Sequence, residues 1–568
     1  MRHFIPTRDE INLRQQRSLV TPHVSRFALY VSCLLLVYHL LPAAPSPKMP
    51  VVSKWGRFEQ SFKSSLVYSH PLQDATFTVV FTSPLGETSQ VYGFWDGGKT
   101  WRVRFSPNQP GRWSFRTTCS DATNQGLHNL SGQFICSAAT GTSRFNQHGL
   151  VRVALDRRHL EHADGTPFFW LADTVWNGAR VSDPNDWNLY ARTRSTQKFT
   201  VAQWAVAPGQ DAKGETAFTG QDTITVNPGF FKRLEPKLET LSRAGLLSAI
   251  VPLGESASLA DTAAALPDDQ AVLFVRYVVA RWGADPVAWL LAFDGGDQAA
   301  KAARWKKIGD AAFAQSSQAP VILYAGQPEL LEQFRSQHWV DGVGLQTLTD
   351  LSDDAVKSAL AGSLASEWKK DPARPLISFV PCENGVGDQS KKRFSAEEVR
   401  RAAYWSLLLT APAGLSYAGQ GVADWDTTTG GKPRKPSGSK TEDLPAWHKA
   451  LFMPAAKQMA HLASFMDSMN FWRLRPRPDF VGAQPGAAEP RRYLAAAGTE
   501  AKDISLVYVP EDRTLEIMLE ALPPSPTVSW LNPRTGENSP AVAVVGERSC
   551  QFPTPDPGDW LLVMKAGK

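Results

Sequence analysis

The sequence predicts a multidomain protein built on a central (β/α)8 TIM barrel, with a β-sandwich before it and a smaller β-sandwich after it. Three observations predict this. Between residues 145 and 470, apolar runs alternate with helical stretches eight times. Residues 51–140 and 472–568 instead carry short β-rich runs separated by turn residues. The first apolar run of the centre, 168–172, follows the turn Asp164-Gly165-Thr166-Pro167 and stops at Asp173-Thr174, with Trp176 just beyond. Strands buried on both faces read as continuous apolar runs, and eight strand–helix units close a barrel.

The N-terminal element, 1–45, reads as a targeting segment. Arg2, Arg8, Arg14, Arg17 and Arg26 precede the apolar run 27–41, and Pro42-Ala43-Ala44-Pro45 follows. A basic region, an apolar core and a small-residue exit mark export, as a cleaved signal peptide or a retained anchor. The run is short for a membrane span, which needs about 20 residues. The expectation is an exported protein, secreted, periplasmic or at the cell surface.

Residues 51–140 hold runs at 76–82, 91–95, 101–105, 113–118 and 132–136, spaced as in a sandwich. Within them Gly93-Phe94-Trp95-Asp96-Gly97-Gly98-Lys99-Thr100 matches the phosphate-loop pattern GxxxxGK[ST]. That loop needs a helix after it, so that backbone amides and the helix dipole meet the phosphate. Trp101-Arg102-Val103-Arg104-Phe105 alternates like a strand, so a hairpin turn is expected and no nucleotide partner. Cys119 and Cys136 end two of these runs and are read as a pair or as buried thiols.

In the centre, strands are expected at 168–172, 199–204, 246–252, 288–293, 320–324, 342–346, 376–380 and 414–417. Helices are expected at 184–196, 228–244, 268–282, 299–315, 328–336, 353–370, 395–409 and 446–469. Asn227-Pro228 and the capping box Ser395-Ala396-Glu397-Glu398 look like helix starts. The Gly- and Pro-rich stretch 424–443 follows the last strand as a long loop on the active-site face. His159 and His162, three apart on a charged stretch, read as surface residues. The tail has strand-like runs at 504–509, 515–519, 527–531, 541–545 and 560–564.

Composition narrows the function classes. Apolar content of 43% and charged content of 20% are globular values, and a net charge of +5 over 568 residues does not point to nucleic acid. Five cysteines, one of them Cys33 in the leader, are too few for a disulfide scaffold, and no Cys/His spacing suggests a metal. Nineteen tryptophans suit stacking on sugar rings as well as a core.

Barrel active sites lie at the C-terminal ends of the strands. Read off in order, those ends present Asp173 and Trp176, Gln203 and Trp204, Glu255, Asp294 and Asp297, Tyr324, Gln346, Glu383, then Tyr417 and Trp425. The set holds carboxylates, amides and aromatics. Two carboxylates across a pocket suit glycosidic cleavage: one protonates the leaving oxygen while the other attacks or activates water. Asp294, Asp297 and Glu383 are the catalytic candidates, and the rest are substrate-binding candidates. Each also has a structural reading, since an Asp at a strand end often caps the next helix and Asp294-Gly295-Gly296-Asp297 suits a tight turn. No cofactor is expected; the expected partner is a carbohydrate.

At these residues the chain resembles the apiosidase-like (β/α)8 glycoside hydrolases, a bacterial group of exported sugar-cleaving enzymes. The matching pieces are Asp164 through Trp170 with Asp173-Thr174, Gln203, Trp289 through Asp294, and Tyr417 through Trp425. Gly93 through Gly98, with Val103-Arg104-Phe105 and Gly111-Arg112-Trp113, resembles the immunoglobulin-like domain that often precedes this barrel. Trp530 through Gly536 and Asp559 through Val563 resemble the small β-domain that often follows, usually labelled collagen-binding.

The resemblance implies catalytic carboxylates after strands four and seven. The family's fourth strand ends Trp-x-x-x-Gly-Asp; counted from Trp289 that Asp is Asp294, with Phe293 at the glycine and Asp297 as the competing alignment. After strand seven the family tends to Glu-Pro-x-Tyr-Glu, its first Glu the nucleophile. Here Val380-Pro381-Cys382-Glu383-Asn384 puts valine at that Glu and leaves Glu383 as the remaining carboxylate. The implied function is an exported glycoside hydrolase acting on a plant or bacterial polysaccharide or glycoside. The alternative is a catalytically degenerate relative that binds glycan or serves as a structural cell-surface protein.

Overall fold

The computed structural model describes residues 49–567 except 255–265, 294–297, 314–318, 326–327, 347, 349–351, 362, 386–391, 411–412 and 428–444. The targeting segment, Glu255, Asp294, Asp297 and most of the loop 424–443 therefore lie outside the described residues. Residues Pro50–Lys568 form one compact unit.

Its centre is a closed parallel barrel of eight strands. They are β1 (Trp170–Thr174), β2 (Val201–Ala207), β3 (Leu247–Leu253), β4 (Val287–Phe293), β5 (Val321–Ala325), β6 (Gly342–Gln346), β7 (Leu376–Phe379) and β8 (Gly414–Tyr417). The surrounding helices are α1 (Pro184–Thr196), α2 (Pro228–Arg243), α3 (Asp268–Trp282), α4 (Gln298–Ala312), α5 (Pro328–Gln333), α6 (Asp353–Ala361), α7 (Ser363–Trp368), α8 (Ala396–Thr410) and α9 (Pro454–Asp467). The single helix expected at 353–370 is two helices.

Local chemistry starts these helices where the chain signals it. Asp183 caps α1 through Asn185 N (2.7 Å) and Asp186 N (3.0 Å), and Asn227 caps α2 through Phe230 N (3.2 Å). Each is followed by proline at the first helical position, where a missing N–H costs nothing. The Ser395–Glu398 capping box forms in both directions, at 2.8 and 3.3 Å, in front of α8.

The first strand lies two residues later than expected. Pro167–Phe168 pairs with Leu160–His162 in a small three-stranded sheet that also holds Val151–Val153. Phe145, Val151, Leu160 and Phe168 from this region join the apolar interior of the barrel. His162 belongs to that packing and is no surface residue. It is 3% exposed, its Nδ1–H donates to Gly149 O at 2.7 Å, and Phe168 lies edge-on at 5.4 Å. His159 is buried too, with Trp472 stacked at 6.0 Å. Burial in and just before the strand Leu160–His162, which the charged neighbours masked, corrects the surface reading of both.

Two sheets form the N-terminal sandwich. The five-stranded sheet runs in the order Val51–Ser53, Ser131–Ser137, Gly111–Cys119, Phe77–Thr82, Thr88–Tyr92; the three-stranded one joins Phe58–Lys63, Thr100–Phe105 and Phe94–Trp95. Phe58, Phe81, Phe105, Trp113 and Phe134 fill the space between them. Cys119 and Cys136 are buried free thiols. Gly97 and Gly98 adopt φ of 104° and 54° in a turn, and the strand Thr100–Phe105 follows. The phosphate-loop pattern is thus a hairpin without the helix its chemistry requires.

That hairpin docks the sandwich on the barrel. Asp96 Oδ1 accepts from Arg281 Nη1 of α3 at 3.0 Å, and Asp96 Oδ2 accepts from Arg102 Nε at 2.8 Å. Arg281 also reaches Glu235 on α2. The C-terminal domain, a six-stranded and a three-stranded sheet, docks through Asp559. That carboxylate accepts from Arg400 Nε and Nη2 of α8, both at 2.7 Å, and from Tyr508 Oη at 2.8 Å.

Candidate active site

Register decides which strand-end side chains enter the barrel. Neighbours paired across parallel strands point to the same face, and successive residues to opposite faces. Trp170 and Ala172 of β1 lie in the interior cluster with Val201, Ala205, Leu247 and Ala249. Thr174 therefore points inward, paired with Gln203, which pairs with Ala249. Asp173 is one residue out of phase and points into the helix layer.

The inward set forms the mouth. Gln203 Oε1 accepts from Thr174 Oγ1 (3.1 Å) and Ser416 Oγ (2.6 Å), while its Nε2 has no partner among the described residues. Across the barrel Tyr324 Oη donates to Gln346 Oε1 (3.0 Å), and the Tyr324 ring packs on Phe379 with centroids 4.3 Å apart. Trp176, beyond β1, packs half-buried against the interior cluster. Of the expected binding residues, Trp176, Gln203, Tyr324 and Gln346 are brought together here. Thr174, Ser416 and Phe379 join them unannounced.

The remaining expected residues that are described lie outside the mouth. Asp173 and Arg194 of α1 are both fully buried. The carboxylate accepts from Arg194 Nε (2.8 Å), Arg194 Nη2 (3.2 Å) and Tyr190 Oη (2.9 Å). Burial works against the guanidinium charge, but the Asp173 carboxylate and the Tyr417 ring beside it more than offset this and hold the Arg194 pKa above its ordinary value. Asp173 is thus half of an ion pair behind the barrel wall, a correction to its reading as a sugar-pocket residue. Trp204 points outward as well and packs on Trp282, centroids 5.7 Å apart. Trp425 is buried, stacked on Trp447 at 4.2 Å. Tyr417 pairs in register with Asp173 and shares its outward face.

Glu383 belongs to this outer network. It is 4% exposed; Oε2 accepts from Tyr417 Oη at 2.6 Å and Oε1 from Ala455 N at 3.0 Å, at the N-terminus of α9. Burial pushes its carboxyl up, while Tyr417 and the α9 amides pull the other way. A carboxylate with both oxygens occupied by protein donors holds elements together. It is not poised in the mouth, which corrects its reading as a catalytic residue. Val380, at the position of the family's first Glu, is buried among the outer apolar side chains.

One further carboxylate follows β8, at the start of the loop expected on the active-site face. Asp424, in the turn after β8, is exposed, and Gln420 Nε2 donates to its Oδ2 at 3.3 Å. Burial of its surroundings pushes its carboxyl up, and the neighbouring Asp426 carboxylate adds to this. Among the described residues, no group of three or more His, Cys, Asp or Glu side chains is placed to hold a metal ion.

An eight-stranded parallel barrel with an amide- and hydroxyl-lined mouth agrees with a family model described as "Apiosidase-like, catalytic domain", which matches residues 154–473. The chain belongs to this family. Its apiosidase-like barrel makes it a glycosidase-type enzyme. Residues 51–120 match a model described as "Domain of unknown function (DUF5060)", and residues 481–565 one described as "Putative collagen-binding domain of a collagenase". A solved structure named "Glycoside hydrolase" aligns with a TM-score of 0.63 at 18% identity, covering 75% of the apiosidase-like chain and 99% of its own. A glycoside hydrolase family 5 structure from Bacteroides vulgatus ATCC 8482 aligns with the same TM-score and identity, covering 75% and 95%. At that identity both show the fold alone. No curated protein sequence matches the chain.

Proposed function

We propose that this chain is an exported glycoside hydrolase. It cleaves a plant or bacterial polysaccharide or glycoside at the mouth of its barrel, with a pair of carboxylates carrying the proton transfers. The mouth carries this reading. Gln203 and Gln346 supply amides, Thr174, Tyr324 and Ser416 supply hydroxyls, and Trp176 and Phe379 supply ring faces. Such a lining matches a ligand that is hydroxylated at its edges and apolar on its faces. The unpartnered Gln203 Nε2 is a donor in want of an acceptor, and an unmade buried hydrogen bond costs about 1–3 kcal/mol. Asp294 and Asp297, which follow β4 in the chain, supply one of the two carboxylates. Export rests on the basic and then apolar stretch within residues 1–45.

The test is release of reducing ends from a panel of plant and bacterial glycans. Wild type releases them, while Asp294→Asn or Asp297→Asn lowers the rate by about 10²-fold or more. Full activity in the double variant sinks the role given to this pair. A second reading, a glycan-binding relative without hydrolysis, is favoured by Val380 at the nucleophile position and by Glu383 held under α9. It predicts heat of binding by titration calorimetry on a glycan that the protein leaves intact.

A further inference from the structure

The seam between the N-terminal sandwich and the barrel is held by paired charges. Arg57 meets Asp285, Arg102 meets Glu59 and Asp96, Arg104 meets Glu59 and Glu235, and Arg281 meets Asp96 and Glu235. Arg276, earlier on α3, breaks the pattern. No carboxylate among the described residues is in ion-pair contact with it. Its Nη2 donates to Ala311 O at 3.4 Å, a long bond, and its Nε is buried with no acceptor among the described residues. The guanidinium lies on the Tyr92 ring of the sandwich, 4.6 Å from the centroid. A ring face holds a cation in place but brings no formal counter-charge.

Arg276 lines a cavity of about 40 Å³ at this seam. Tyr92, Phe94, Trp95 and Trp101 wall it from the sandwich, and Leu273 walls it from α3. Leu273 and Arg276 are three residues apart and so share one face of that helix. A water takes about 10–15 Å³ of such space, so the cavity admits a carboxylate group but not a whole sugar ring. A ring attached to that group stays outside it. Trp95 offers a surface there: its indole is half-buried and fixed by Nε1 donating to Gly98 O at 2.8 Å.

We propose that this cavity is a second binding site, apart from the barrel mouth, for a uronic acid unit of a glycan. The carboxylate enters and meets the Arg276 guanidinium, whose planar fork matches it. The sugar ring rests on Trp95, apolar face to indole. Such a site holds an acidic glycan on the sandwich while the barrel acts elsewhere along the chain. An aromatic acid would share both contacts. Naming a sugar instead rests on the hydrolase reading above; the demand for a carboxylate comes from Arg276 alone.

The test is ligand-observed NMR titration of the full chain with the methyl glycosides of glucuronic and galacturonic acid, their methyl esters, the neutral methyl glucoside and galactoside, and benzoate. At least one uronide binds wild type about tenfold or more tightly than its ester and its neutral counterpart. Arg276→Gln removes that preference, and Arg276→Lys, which keeps the charge without the fork, restores part of it. Leu273→Trp, which fills the cavity and leaves Arg276 in place, also removes it and decides the matter where Arg276→Gln fails to fold. Equal binding of uronide and ester, or a preference that survives Arg276→Gln or Leu273→Trp, overturns the assignment. So does benzoate binding where neither uronide binds. None of these readouts involves bond cleavage, so the hydrolase reading stands or falls separately, on the release of reducing ends.

Discussion

Replacing Asp173 by Asn tests whether this residue belongs to the wall or to the pocket. In the wall, its carboxylate is the counter-ion of Arg194, and neither side chain has any solvent exposure. Three of its hydrogen bonds come from Arg194 and Tyr190, while the guanidinium has Gln197 Oε1 (2.6 Å) and Leu451 O (2.9 Å) as its other acceptors among the described residues. Asparagine keeps the shape, removes the charge and turns an NH2 toward the cation. Leaving one member of a buried pair uncompensated costs about 3–5 kcal/mol. Total stabilities run to about 5–15 kcal/mol, so this is a large share. The assay is guanidinium chloride denaturation followed by tryptophan fluorescence, on wild type, Asp173→Asn, Arg194→Met and the Asp173→Leu/Arg194→Met double variant. The singles lose about 3–5 kcal/mol each, and the double, which buries no charge, recovers most of it. At temperatures where Asp173→Asn stays folded, its KM equals that of wild type. A single variant within about 1 kcal/mol of wild type, or a double whose losses simply add, refutes the reasoning.

Acid has a defined effect through His162. Burial lowers its pKa to about 4, from 6.5 unperturbed. The fold holds it neutral while the unfolded chain takes up a proton, so stability is fully present above about pH 6.5 and is lost as pH falls toward 4, by about 3 kcal/mol in all. Melting temperatures measured across that window fall less steeply for His162→Gln than for wild type; parallel slopes would contradict this. At the sandwich–barrel junction, Asp96→Asn removes one of the two carboxylates on Arg281, leaving Glu235, and costs about 1–3 kcal/mol. Limited proteolysis reads it as faster cleavage between the N-terminal sandwich and the barrel, and unchanged cleavage rates would count against the docking role.

The fold was legible because a barrel wall is written in long apolar runs, and several runs met a helix with its own start signal, such as Asp183-Pro184 or Ser395 through Glu398. The site was legible only in part, for a reason of phase. Strands of a closed parallel barrel are apolar on both faces, so their sequence does not show which face is inside. In Asp173-Thr174 the charged residue draws the eye, yet register gives the mouth to Thr174. The same one-residue shift separates Gln203, inside, from Trp204, outside, and Ser416 from Tyr417. Glu383 misled for another reason: the α9 amide that occupies its carboxylate lies 72 residues down the chain.

Both flanking domains reach the barrel by the same device, a carboxylate laid on an arginine of a barrel helix: Asp96 on Arg281, and Asp559 on Arg400. A barrel stripped of its flanks would lose the Asp559 partner of Arg400 and would leave Arg281 to Glu235 of α2. The three domains are therefore not interchangeable modules. Recombination that moved this barrel without its neighbours would break a buried charge contact at each end, and selection would see the trio as a single heritable unit.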